Sequence, residues 1–245
     1  MAPPFIAYYG AMQCEPKGDA LLQTAYEQVK LYREVLFDKQ VGLWRHIALG
    51  NGTTDPTHWA TGNAWAAAGA LRVLATIRHS RAGRSMRSQQ KDLMKWVGET
   101  LDGVWKFQVG ISLSLYYPFV PTFVFFPSEK LKASTLLPWQ KANGTLLNYI
   151  DGPDSFSDTS STALLAASTF RFARIARNDT HIPAAIRALR LIRESVDSQG
   201  WLQNTVDPLK FSAPSPPGQH SPEGQSFVLL LEAAASEWES SRKEH

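Results

Sequence analysis

One motif returns three times in this chain and constrains its fold more than any other feature. It is a Gly-led, strand-like stretch, then a polar loop, then a helix built from small residues. The copies run GLWRHIA (42–48) before WATGNAWAAAGALRVLATI (59–77), GTLLNYID (144–151) before DTSSTALLAASTFRFARI (158–175), and GWLQNTVD (200–207) before SPEGQSFVLLLEAA (221–234). Four residues after the leading glycine, each copy places a side chain able to hydrogen-bond: His46, Asn148 and Asn204. Recurrence of this kind means one supersecondary unit stacked around a common centre, so equivalent loops are expected to converge on one face.

Between the copies lie helices of a different kind. Leu22, Ala25, Val29, Tyr32 and Leu36 step by three and four, with Lys30, Arg33 and Glu34 turned away, which predicts an amphipathic surface helix. The same stripe recurs at Leu93, Val97, Leu101 and Val104, and at Ile182, Ile186, Leu189, Ile192 and Val196. Residues 64–77, 162–176 and 226–235 are apolar or small on nearly every face, as suits helices surrounded by protein. Alternating inner and outer helices predict an all-α architecture, an (α/α)6 toroid that is incomplete here. About seven helices make three and a half hairpins, where a closed ring of six needs about twelve helices. The expectation is one partial domain over 1–238 lacking its N-terminal half, followed by a polar tail at 239–245.

Composition narrows the function classes. The 245 residues carry a net charge of +3 at a pI near 9.0, but Lys and Arg are scattered over helix faces, which argues against nucleic-acid binding. The single cysteine, Cys14, excludes an intrachain disulfide framework and a Cys-rich zinc site, and is expected to be a small buried residue. Residues 109–139 are aromatic and proline-rich without helical period. Prolines 118, 121 and 127 interrupt a run already short of the ~20 apolar residues of a membrane span. The segment reads as a non-native insert, such as a retained intron, or as a lid, and no membrane partner is expected. The chain opens MAPPFIAYYG without a signal-peptide pattern, while three sequons, at Asn51, Asn143 and Asn178, make secretion plausible. No GxSxG, HExxH or phosphate-loop motif is present, so serine-hydrolase, zincin and nucleotide-binding chemistries lack their first requirement, and neither metal nor cofactor is expected.

In order, the segments MAPPFIAYYGA (1–11), GLWRHIA (42–48), WATGNAWAAAGALRVL (59–74), DTSSTALLA (158–166) and GQSFVLLL (224–231) resemble the six-hairpin glycosidases of glycoside hydrolase families 88 and 105. These are the unsaturated glucuronyl and rhamnogalacturonyl hydrolases, and the likeness is greatest to fungal members. The resemblance implies hydrolysis of oligosaccharides of pectin or glycosaminoglycan origin that end in a 4,5-unsaturated uronic acid. In that reaction an aspartate protonates the vinyl ether and helps activate water. The resulting hemiketal rearranges and releases the remaining sugar, a route unlike direct displacement at the anomeric carbon. The family's catalytic aspartate falls upstream of Met1, so no catalytic residue is assigned within the chain. His46 matches a histidine near the substrate, and Trp59 and Trp65 match the tryptophans of a WxRGNGW motif that lie against the sugar. The Arg of that motif is Thr61 here, which puts the usual uronate clamp in doubt.

Asn63 with Gly62 is expected to let the backbone approach closely where the loop enters the helix. Glu223 is a candidate to face substrate from a first helical turn, where the dipole favours a carboxylate. Asp158 reads as a helix N-cap, Asp151 and Asp154 as turn residues, and His58 as a plain loop residue. The alternative is a catalytically inactive fragment that at most binds sugar through Trp59 and Trp65. In either case apolar inner-helix surface exposed by half a toroid would favour self-association.

Overall fold

The computed structural model describes residues 2–108 and 144–243, and the 109–139 segment lies outside the described residues. Seven α-helices follow in order: α1 (Ala2–Ala11), α2 (Lys17–Leu36), α3 (Ala60–His79), α4 (Arg87–Trp105), α5 (Thr159–Ala176), α6 (Ile182–Glu194) and α7 (Pro222–Lys243). Helices α1, α3, α5 and α7 pack side by side as an inner layer, and α2, α4 and α6 lie outside them. This is the expected toroidal arrangement, carried through three and a half hairpins. Helix α7 continues to Lys243, so residues 239–243 form its last turn rather than a tail.

The inner helices differ from the outer ones as their composition requires. Nearly every residue of α5 from Thr159 to Ala173 is buried, because Ala, Ser and Thr let α3, α6 and α7 approach on three sides. Outer helices α2 and α4 bury one face each, Leu22, Ala25 and Val29 of the predicted stripe with Tyr26 in one, Leu93, Val97, Leu101 and Val104 with Thr100 and Trp105 in the other, while Tyr32 of the predicted stripe is exposed. Where tryptophans enter this core their N–H groups find hydroxyls. Trp44 donates to Thr100 Oγ1 at 2.9 Å and Trp105 to Thr169 Oγ1 at 3.0 Å.

Three antiparallel hairpins accompany the sequence repeat, β1–β2 (Phe37–Asp38, Leu43–Trp44), β3–β4 (Leu146–Leu147, Ser157–Asp158) and β5–β6 (Val206–Asp207, Lys210–Pro214). Each leading glycine takes a left-handed φ, +82° at Gly42, +89° at Gly144 and +86° at Gly200, a region that only glycine enters without strain. Two residues on, each backbone N–H is held by the fourth residue of the adjoining inner helix: Trp44 by Asn63 Oδ1 (2.8 Å), Leu146 by Thr162 Oγ1 (3.0 Å) and Leu202 by Gln225 Oε1 (3.0 Å). Two residues further, the carbonyl of Asn148 accepts from Ala60 N at 2.8 Å, and that of Asn204 from Thr159 N at 3.1 Å. The second and third repeats thus each satisfy an orphan N–H at the start of the preceding inner helix. Equivalent loops therefore meet at one end of the inner layer.

Two expectations are corrected. Cys14 is exposed rather than buried, because it falls in the turn between α1 and α2, away from the core. His58 is no plain loop residue: it is 8% exposed and its Nδ1 lies 2.7 Å from Asp151 Oδ2, tying the first repeat's loop to the second's. Of the sequon asparagines, Asn51 and Asn178 are exposed, and Asn143 lies outside the described residues. No helix among the described residues is long and apolar enough to cross a membrane.

Candidate active-site mouth

At the N-terminal end of α3 three aromatic rings form a triangle. The centroids of His46 and Trp59 are 4.7 Å apart, those of His46 and Phe211 4.5 Å, and those of Trp59 and Phe211 5.7 Å, all in tilted or edge-on contact. Each ring comes from a different place: His46 follows β2, Trp59 is the residue before α3, and Phe211 belongs to β6 of the third repeat. Asn148 of the second repeat joins them. It is wholly buried, accepts from Trp59 Nε1 at 3.0 Å and donates through Nδ2 to the Phe211 carbonyl at 2.9 Å. The equivalent side chain of the third repeat, Asn204, is exposed, and Asn204 itself takes a left-handed φ of +60°.

His46 is oriented from behind. Its Nδ1 sits 2.8 Å from Asp55 Oδ2, while Asp55 Oδ1 accepts from the Thr57 N–H at 3.0 Å and the Thr57 hydroxyl at 2.6 Å. Burial alone would raise the Asp55 pKa. The hydrogen bonds from Thr57 and His46 outweigh it and hold the carboxyl below the usual carboxylate range. An ionised Asp55 accepts from an N–H at His46 Nδ1, the pairing in which a neutral imidazole carries its acceptor lone pair on Nε2. Tyr149 is pushed above the ordinary tyrosine value, first by burial and then by the Asp55 charge.

His46 also lines a second recess, a cavity of about 220 Å³ with Pro3, Trp44, Arg45, Gly62 and Trp65 on its walls. Trp65 meets Phe227 edge-on at 5.1 Å, so one face of its indole belongs to the contact with α7. Arg45 bonds Asp38 at 2.6 Å. That bond, with the Gln40 N–H, holds Asp38 below its ordinary value despite some burial.

Thr61 and Asn63 lie beneath this surface. Thr61 is 4% exposed and its hydroxyl reaches Asp158 Oδ2 at 3.3 Å. Asn63 is wholly buried and spends both ends of its amide on the backbone of Trp44 and Trp59. Glu223 is exposed in the first turn of α7. Asp158 caps α5 as its sequence context predicts, accepting from Ser160 N, Ser160 Oγ, Ser161 N and Val206 N within 3.1 Å. Asp55 and Asp158 therefore have both oxygens engaged. Among the described residues no group of three His, Cys, Asp or Glu side chains gathers as a metal site.

Sequence reasoning missed Phe211 and Asp55. The Asp-Pro-Thr turn at 55–57 carries a local signal for the latter, since an Asp that caps its own turn has a fixed carboxylate. Phe211 sits in a polar stretch with no periodicity to announce it.

Residues 1–109 match the model of Glycosyl Hydrolase Family 88. The match ends where the aromatic and proline-rich segment begins. A comparison with curated proteins finds no match. Among solved structures, a possible member of the GH105 family from Salmonella enterica superposes with a TM-score of 0.71 at 18% identity, over 96% of this chain and 54% of the other. A glycosyl hydrolase family 88 protein from Bacteroides vulgatus gives 0.68 at 12%, over 96% and 60%. Unsaturated glucuronyl hydrolase from Bacillus sp. GL1, responsible for the degradation of glycosaminoglycan, gives 0.60 at 14%, over 95% and 55%. These likenesses identify the fold as that of the six-hairpin glycosidases, and this chain spans a little over half the length of each.

Proposed function

We propose that this chain forms the saccharide-holding part of a glycoside hydrolase acting on oligosaccharides that end in a 4,5-unsaturated uronic acid. The observation that carries the reading is the His46–Trp59–Phe211 triangle at the mouth of the inner layer, three rings from three chain positions, with buried Asn148 holding the Trp59 indole and the Phe211 backbone and Asp55 holding His46. Aromatic faces stack on the apolar faces of sugar rings, and His46 Nε2 is placed to accept from a sugar hydroxyl. Trp65 and Arg45 widen the mouth into the neighbouring recess, where Arg45 supplies a cation for a carboxylate in the absence of an arginine at position 61. Thr61 and Asn63 act from below by fixing the loop, and Glu223 stands at the rim.

The reaction proposed is hydration of the C4–C5 double bond. A proton adds to C4 and water to C5, and the hemiketal so formed opens with release of the remaining saccharide. Asp55 and Asp158 have both oxygens committed, so the proton donor is not assigned to either. That commitment also favours a second reading, in which the chain binds sugar without turning it over. Incubation with an unsaturated chondroitin disaccharide separates the two. Loss of the double-bond ultraviolet absorbance supports hydrolysis, calorimetric binding without that loss supports the second reading, and neither signal refutes both. Trp59→Ala should abolish whichever signal is found.

Self-association belongs to the same proposal. Exposed apolar side chains lie at the two ends of the helix row, Phe5 on α1, Met12 in the turn after it and Leu31 on α2, and Leu229 on α7. Light scattering across a dilution series tests it, and a monomer at all concentrations would reject it.

A further inference from the structure

A cavity of about 1020 Å³ lies away from the mouth, walled by all four inner helices, from Tyr8 on α1 to Trp238 on α7. Arg72 and Trp59 are separated by thirteen residues of α3, about 20 Å of helix, so the cavity and the triangle occupy opposite ends of the inner layer.

Its charge is one-sided. Six arginines line it against two carboxylates, Asp179 and Glu237. Those two are already taken: Glu237 pairs with Arg174 at 2.5 Å and Asp179 with Arg242 at 3.0 Å. Arg78 spends one nitrogen on the Ile175 carbonyl at 2.9 Å. Arg72, Arg171 and Arg177 remain, and among the described residues their guanidinium groups have no hydrogen-bond or ion-pair partner. Helix dipoles explain cations only in a last turn. Arg177 is the C-cap of α5, where the dipole favours a cation, but Arg72 lies two turns before the end of α3, and Arg171 lies five residues before the end of α5. Both are half-buried above a floor that includes Ala68, Ala75 and Ala167, small residues that leave the volume open. Scattered in sequence, these cations are gathered only by the fold.

We infer that this cavity is a binding site for a multivalent oxyanion, a molecule carrying two or more phosphate or sulfate groups, with Arg72, Arg171 and Arg177 as its ligands. Guanidinium forks match such groups in shape and charge, and cations held close together without counter-charges repel until an anion joins them. The site does not rest on the saccharide reading, because none of its residues touches the mouth.

Calorimetric titration of the full chain with inorganic tripolyphosphate and, separately, with a fully sulfated heparin tetrasaccharide tests it. Saturable binding of either probe is expected, and the stronger one identifies the source as phosphate or sulfate. The double variant Arg72→Gln/Arg171→Gln should weaken it at least tenfold, and Arg177→Gln, at the exposed C-cap of α5, should weaken it severalfold. Arg72→Lys should retain part of the affinity, and Trp59→Ala all of it. Circular dichroism confirms that each variant is folded. Absence of binding by both probes overturns the proposal, as does affinity unchanged in the arginine variants or lost in Trp59→Ala.

Discussion

The indole N–H of Trp59 donates to the side-chain oxygen of Asn148 at 3.0 Å, across 89 residues of sequence. One repeat thereby sets the ring of another, and the same amide holds the Phe211 backbone of the third at 2.9 Å. Asn148→Ala removes both bonds at a wholly buried position. Two partners lose a hydrogen bond, so the loss of stability in urea denaturation should be about 2 kcal/mol, with a red-shifted tryptophan emission as Trp59 loosens. An unchanged emission spectrum would mean that the ring is held by packing alone.

Asp158 shows the same economy one layer below. It caps α5 and also holds Val206 N at 3.0 Å, so one carboxylate fixes the start of an inner helix and the hairpin of the next repeat. Asp158→Ala loses a cap, worth about 1 kcal/mol, and strands a buried N–H, worth about 1–3 kcal/mol. A total near 3 kcal/mol is expected by chemical denaturation. Asp158→Asn, which keeps one acceptor oxygen, should lose less than half of that.

Gly103 and Gly98 lie on the same helix and should respond in opposite directions to alanine. A Cβ at Gly103 would fall 2.1 Å from the Gly42 carbonyl oxygen, so β2 and α4 would have to separate. At Gly98 the nearest atom is the end of the Phe172 ring at 3.4 Å, an ordinary contact. Gly103→Ala should cost about 3 kcal/mol through overpacking. Gly98→Ala should be neutral or gain up to about 1 kcal/mol of helix propensity. Thermal melts of the pair check both signs.

The toroidal row was legible in the sequence because two physical signals agree in it. Stripes at Leu22–Leu36, Leu93–Val104 and Ile182–Val196 mark helices with one wet face, and the small residues of 162–176 mark a helix with none. The Gly-led repeat also announced that His46, Asn148 and Asn204 are equivalent. It could not tell that Asn148 alone would be buried as a tether, because burial depends on what the third repeat lays over it. Phe211 was invisible for the same reason: its place beside His46 is set by the β5–β6 hairpin, not by its neighbours in sequence. Arg72, Arg171 and Arg177 read as solvated helix faces in one dimension, and their shared cavity exists only once α3 and α5 are packed side by side.

The pairing of His46 with Asp55 should make the mouth acid-labile in a defined window. In the folded protein the Asp55 pKa lies below the ordinary aspartate value, since the Thr57 and His46 hydrogen bonds outweigh the opposing effect of burial. The unfolded chain, with a pKa of about 3.9, therefore takes up the proton first as pH falls. The stabilisation is fully present above that value, declines as pH drops towards the folded pKa, and is gone below it. Asp55→Asn never carries the charge and should be less stable than the parent near pH 6. Melting temperatures of the two proteins measured from pH 6 down to about pH 2.5 should start to converge below the unfolded value and meet below the folded one. A constant gap across the whole range would show that Asp55 contributes through shape rather than through its charge, and that His46 is oriented by packing.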